Sequence, residues 1–212
     1  MLFVAWGLIL ACVAVEAVLI AAEAGFLGSA RWRSLAYQNG GFWAGLLGDW
    51  RPNFAAQPVT MFVTHAFLHG SLTHLAGNMV TLHLLGAEIR SWTGAVGFSL
   101  IYAVSVLGGA LGFAALNDSP APMVGASGAL FGLVGALLVW DWGERRRMGR
   151  PSWRVLGLLS VALVALNFAM WVWLEGVLAW EAHLGGFLAG ALLALAWPPL
   201  AAPPPPEGKE AG

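Results

Sequence analysis

The sequence predicts an all-α membrane protein built as a six-transmembrane-helix bundle. Hydrophobic residues make up 59% of the chain and charged residues only 10%, against about a quarter charged in ordinary soluble domains. Mean hydropathy is +0.75. The apolar residues gather into six long, unbroken runs, each suited to cross a hydrocarbon layer about 30 Å thick, whereas membrane-barrel strands alternate and stop near ten residues. Net charge is −1 and offers no basic footprint for nucleic acid. The sole cysteine, Cys12, rules out a disulfide framework and a cysteine zinc cluster.

In chain order, the runs are Leu2–Phe26, Leu72–Ile89, Val96–Leu116, Met123–Trp140, Val155–Leu174 and Val177–Trp197. The first lacks the basic start and small-residue cleavage site of a secretory signal, so it reads as an anchor that stays. Residues 27–71 form a long external loop. It holds Trp32, Phe42, Trp43, Trp50 and Phe54, a composition suited to the headgroup layer. Residues 1–198 are read as the membrane domain. Residues 199–212, with Pro203 to Pro206, cannot bury a core and are expected to be a disordered cytoplasmic tail. Arg145, Arg146, Arg147, Arg150 and Arg154 fill the link after the fourth run, and Arg90 follows the second; together they outnumber Arg31 and Arg33. Basic links stay in the cytoplasm, which puts both termini inside. The short loops fit a bacterial inner membrane.

Even-numbered runs then share a direction, and their polar residues can be compared by depth. Ser127 lies 13 residues above Trp140, His183 14 above Trp197, Asn78 12 above Arg90 and His74 16 above Arg90. At 1.5 Å per residue, all four fall roughly 18–24 Å from the cytoplasmic edge. Ionisable groups at such depth face protein or water and mark function. Ser127 sits in Gly125-Ala126-Ser127-Gly128. Taken alone, that stretch also has a structural reading: small residues for helix approach, with the hydroxyl returned to a carbonyl one turn back. Gly128-xxx-Gly132 and Gly186-xxx-Gly190 allow the fourth and sixth helices to pack closely, bringing Ser127 to His183. Gly108-xxx-Gly112 on the third is a competing face.

A serine beside an imidazole is the minimum for nucleophilic acyl transfer, with His183 taking the hydroxyl proton and returning it to the leaving amine. Glu181 is two residues from His183 and points elsewhere on a helix, so a dyad is expected, with no acid as third member. The oxyanion needs fixed donors, each worth on the order of 3 kcal/mol. The Ser127 backbone N–H, His74 and Asn78 are the candidates.

These residues resemble the rhomboid family of intramembrane serine proteases over about residues 58–192. The likeness rests on His65-x3-His69-x4-His74-x3-Asn78, on Gly125-Ala126-Ser127-Gly128, and on Ala182-His183-x2-Gly186-x3-Gly190. The resemblance implies Ser127 as nucleophile, His183 as base, His74 and Asn78 at the oxyanion, and structural or water-access roles for His65 and His69. Gly125, Gly128, Phe131 and Gly186 support the site. It further implies cleavage of single-spanning membrane proteins near their outer end, with small residues before the scissile bond, and no cofactor. The chain departs from the family pattern at two places. Thr60-Met61 stands where many members carry Trp-Arg, leaving open how the external loop is fastened. Phe131 stands where many carry a tyrosine; either ring can stack on His183.

Other readings compete. Spaced histidines can bind metal, but no carboxylate completes a set with His65, His69 and His74. His83 reads as an interfacial or helix-packing residue. Glu16 and Glu23 share a helix face and could mark an ion path in a small transporter; the simpler reading has Glu23 at the interface and Glu16 hydrogen-bonded within the bundle. The alternative to a protease is a non-catalytic membrane protein of the same fold that holds its clients uncut.

Overall fold

The computed structural model describes residues 3–149, 153–173, 177–197 and 199. The expected tail, apart from Pro199, lies outside them, as do Leu2, Arg150 and Leu174. All regular secondary structure among the described residues is helical. The elements are α1 (Phe3–Glu23), α2 (Trp32–Gly40), α3 (Gln57–Thr64), α4 (Leu72–Leu116), α5 (Ser127–Arg147), α6 (Trp153–Trp173) and α7 (Trp180–Ala196), with short 3-10 turns at Ala44–Leu47 and His65–Phe67. By length and composition, Val4–Glu23 and Leu72–Leu116 are apolar enough to cross a membrane; Leu156–Met170 and Trp180–Ala196 are shorter apolar helices.

The second and third apolar runs are joined in α4, which breaks at Gly94 (φ 70, ψ −173). An L side chain rarely adopts that backbone conformation, so glycine permits the chain to reverse there without a longer loop. The centre of the fold is α4, α5 and α7, which lie closest together. Glycine explains how. A Cβ on Gly186 would run into the carbonyl oxygen of Gly128, and one on Gly190 into that of Gly132. Gly185 meets Gly112 and the Gly108 carbonyl in the same way. The competing glycine faces are therefore both used: α7 is wedged between α5 and the second half of α4, presenting Gly186 to one and Gly185 to the other. Leu82, Ile89, Phe98, Ile101, Leu133 and Ala136 fill the core alongside.

The segment expected as a headgroup loop is built more tightly than its composition suggests. Trp32, Trp50 and Phe54 are exposed, but Phe42 is fully buried. Its ring packs edge-on against Phe62, Phe113 and His65, and its backbone pairs with Met123 through two hydrogen bonds of 2.9 Å. The fastening left open by Thr60-Met61 comes from polar side chains. Thr64 Oγ1 donates to Gly40 O (2.7 Å), Gln57 Nε2 to Gln38 O (2.6 Å) and the Tyr37 hydroxyl to His69 O.

Arg33 adds an ionic clamp from α2 onto α1. Its guanidinium donates to both oxygens of Glu16 (2.9 and 3.1 Å) and to both of Glu23 (2.7 and 2.9 Å). Glu16 is 2% exposed, so this pair answers the question of how a carboxylate survives inside the bundle. Removing one partner of a buried pair leaves an uncompensated charge. Arg33→Leu is expected to cost about 3 kcal/mol, read as a lowered unfolding midpoint in detergent. Arg33→Lys recovers only part of it, because an ammonium is a point charge without the fork that serves two carboxylates. His83 packs its ring on Trp6 (centroids 5.2 Å apart), a helix-packing contact between α1 and α4.

Candidate active site

Ser127 is the first residue of α5 and does not lie in the interior of a longer helix, as the apolar run from Met123 suggested. Gly125 sets this up. Its φ of 122 turns the chain where a side chain would be strained, and its N–H donates to His65 O (2.9 Å). Burial pushes the His65 imidazole down to about 4, which keeps it neutral, and its Nδ1–H donates to Met61 O (2.8 Å). Because Ser127 opens the helix, its backbone N–H and those of the next residues have no partner within the helix. They point, with the positive end of the helix dipole, into the space above the serine.

The α5–α7 glycine contact delivers His183 to this point. His183 Nε2 lies 2.8 Å from Ser127 Oγ, and the imidazole is buried at 3% exposure. Phe131, one turn along α5 from Ser127, stacks flat on the imidazole, with centroids 4.3 Å apart and planes at 10°. The side chain the sequence reading missed is Asn167 on α6. Its Oδ1 is 2.7 Å from His183 Nδ1. An amide oxygen only accepts, so the imidazole proton sits on Nδ1, and Nε2 accepts from the Ser127 hydroxyl. The clue was available: Asn167 is a polar residue within an apolar run, the argument that singled out Asn78.

His74 and Asn78 approach from the first turns of α4. Ser71 caps that helix, its Oγ accepting from the His74 N–H (3.1 Å). Gly70 N–H lies 3.4 Å from His74 Nδ1, leaving Nε2 to carry the proton. A Cβ on Gly125 would sit 2.9 Å from His74 Nε2 and 3.6 Å from Asn78 Nδ2, so both nitrogens face the backbone just before Ser127. Asn78 Nδ2 is buried with no hydrogen-bond partner among the described residues. An orphaned amide donor costs free energy, and here it faces the serine's side of the bundle. His69 is fully buried and packs its ring edge-on against His74 (5.2 Å). Burial first, then the neighbouring His74, pushes its imidazole down to about 4.

Fold and site together define a helical membrane protein with a serine and a histidine in contact inside the bundle. The sequence matches the Rhomboid domain model over residues 56–198, and the chain belongs to the rhomboid family. It is 32% identical over 152 residues to "RHOMBOID-like protein 6, mitochondrial" of Arabidopsis thaliana, covering 68% of this chain and 46% of that protein. It is 31% identical over 158 residues to Rhomboid-related protein 3 of Homo sapiens (68% and 37%). With Rhomboid protease GluP of Bacillus subtilis (strain 168), it shares 30% identity over 134 residues (63% and 25%). The matched regions thus span between a quarter and just under half of these relatives' lengths.

Proposed function

We propose that the chain is an intramembrane serine endopeptidase that uses Ser127 and His183. The observation that carries this reading is the 2.8 Å contact between Ser127 Oγ and His183 Nε2, beneath donors that converge on the same space. In the proposed reaction, Ser127 Oγ attacks the substrate carbonyl carbon as its proton passes to His183 Nε2. The oxyanion is held by the Ser127 N–H, His74 Nε2–H and Asn78 Nδ2–H. The C–N bond then breaks, His183 returns the proton to the leaving amine, and water releases the acyl group by the reverse sequence. His65, Gly125, Gly128 and Gly186 hold this geometry, and His69 lies along the route for water from the outer face.

The proposed membrane arrangement has six spans. α4 contributes two of them, on either side of Gly94, and residues 1–198 form one domain. The basic link at Arg145, Arg146 and Arg147 and both termini are cytoplasmic, and the membrane is a bacterial inner membrane. Substrates are single-spanning membrane proteins. Their helix arrives laterally beside α6, unwinds at its outer end, and is cut after a small residue.

The direct test is labelling of Ser127 by a serine-directed fluorophosphonate in lipid, together with cleavage of a helix-destabilised transmembrane substrate. Labelling that depends on His183 is the expected result; clients captured whole, with Ser127 unlabelled, would favour a non-catalytic binder. Removing one preorganised oxyanion donor costs about 10²–10³-fold in kcat. Asn78→Ala is accordingly expected to lower kcat by about 10²-fold with little change in KM, measured from initial rates.

A further inference from the structure

We propose that Asn167 is the positioning residue of the His183 base, setting the tautomer in which that base can act. This inference rests on the Ser127–His183 reading and names a further residue of that same site.

Three contacts fix the His183 ring: Ser127 at Nε2, Phe131 on one face and Asn167 at Nδ1. The first two come from α5, locked to α7 where Gly128 and Gly132 meet Gly186 and Gly190. The third comes from an element held quite differently. The first residue of α6, Trp153, packs its ring on Trp142 of α5 (centroids 4.1 Å apart), while many of the helix's apolar side chains, Leu158, Val161, Val164 and Leu166 among them, are exposed. Asn167 is half-buried, turned inward to His183.

A neutral imidazole carries one N–H, and its other nitrogen is the lone-pair acceptor. With the Asn167 oxygen at Nδ1, the proton is held there, and Nε2 is free to take the serine proton. Without that acceptor, a proton on Nε2 can donate to Ser127 Oγ, and the ring in that tautomer cannot act as base. A tautomer is set by the hydrogen bond the far nitrogen makes. The same oxygen also stabilises the imidazolium formed as Ser127 attacks.

The test compares Asn167→Leu, which is close in shape but has no acceptor, with Asn167→Asp, which keeps one. A hydrogen bond to a charged partner sets the scale: Asn167→Leu is expected to lower kcat about 10- to 100-fold with KM within about twofold, and to slow fluorophosphonate labelling of Ser127 similarly. Asn167→Asp is expected to recover most of the rate. In the Ser127→Ala background, the ¹⁵N resonances of His183 should report Nδ1–H with Asn167 present and Nε2–H after Asn167→Leu. Asn167→Ala replaces the leucine variant if the latter does not fold. Wild-type kcat with an unchanged tautomer, a loss confined to KM, or an aspartate variant as slow as the leucine one would each overturn the assignment. A wild-type protein that neither cleaves nor labels would instead overturn the Ser127–His183 reading beneath it.

Discussion

Ser127→Ala is expected to reduce hydrolysis of a transmembrane substrate to background, a loss on the order of 10⁴-fold or more. The reason is chemical: the proposed reaction makes and breaks an ester at Oγ, and among the described residues no other hydroxyl is hydrogen-bonded to His183. His183→Ala is expected to match it, because a serine hydroxyl without an adjacent base is a weak nucleophile. The double variant should be no slower than either single one, as for residues that act as a unit. Initial rates with purified protein in lipid decide this. Wild-type turnover by Ser127→Ala would remove the nucleophile assignment, whereas loss in Ser127→Ala with full activity in His183→Ala would leave the serine without its base. The serine variant should still fold, since the helix contacts at this level are made by neighbouring glycines.

Gly186→Val is expected to be nearly as severe without touching a reacting atom. The space beside the Gly186 Cα is filled by the Gly128 carbonyl. That obstacle is backbone, so no side chain can swing aside. A valine must drive α7 off α5, and overpacking of this kind costs about 1–3 kcal/mol. The larger consequence is positional. A 1 Å displacement of a catalytic group can cost about 10²-fold, and a branched side chain forces more than that. Turnover is expected to fall on the order of 10³-fold, and fluorophosphonate labelling with it. Gly157 on α6 is the control: outside its own stretch of helix, no atom of the described residues lies within 4 Å of where its Cβ would stand, and Gly157→Ala should be neutral or stabilise by up to about 1 kcal/mol. Equal effects at the two glycines would show that helix propensity, not close approach, governs the Gly186 site.

Much of this could be read from residue order because a membrane simplifies the problem. Long apolar runs have few alternatives to helices, and counting residues along them placed Ser127, His183, His74 and Asn78 at one depth. Small residues at i and i+4 marked faces for close approach. The pairing of those faces was beyond one-dimensional reasoning. Gly108, Gly112, Gly128 and Gly132 were equivalent candidates, and adjacent glycines, Gly185 and Gly186, serve both partners at once.

The same limit explains Asn167, Phe42 and Arg33. Each had a visible anomaly: an amide in an apolar run, a phenylalanine in a tryptophan-rich loop, a cation on the outnumbered side. What each meets depends on chain segments far away in sequence. Arg33 meets carboxylates 10 and 17 residues earlier, Phe42 pairs with Met123, and Asn167 bonds to His183. Hydropathy and spacing mark which segments are apolar helices and which polar residues within them stand out as candidates. The rotation of each helix about its axis, and hence which hydroxyl meets which imidazole, is set by packing at the glycine contacts, where tenths of an ångström decide whether two backbones can touch.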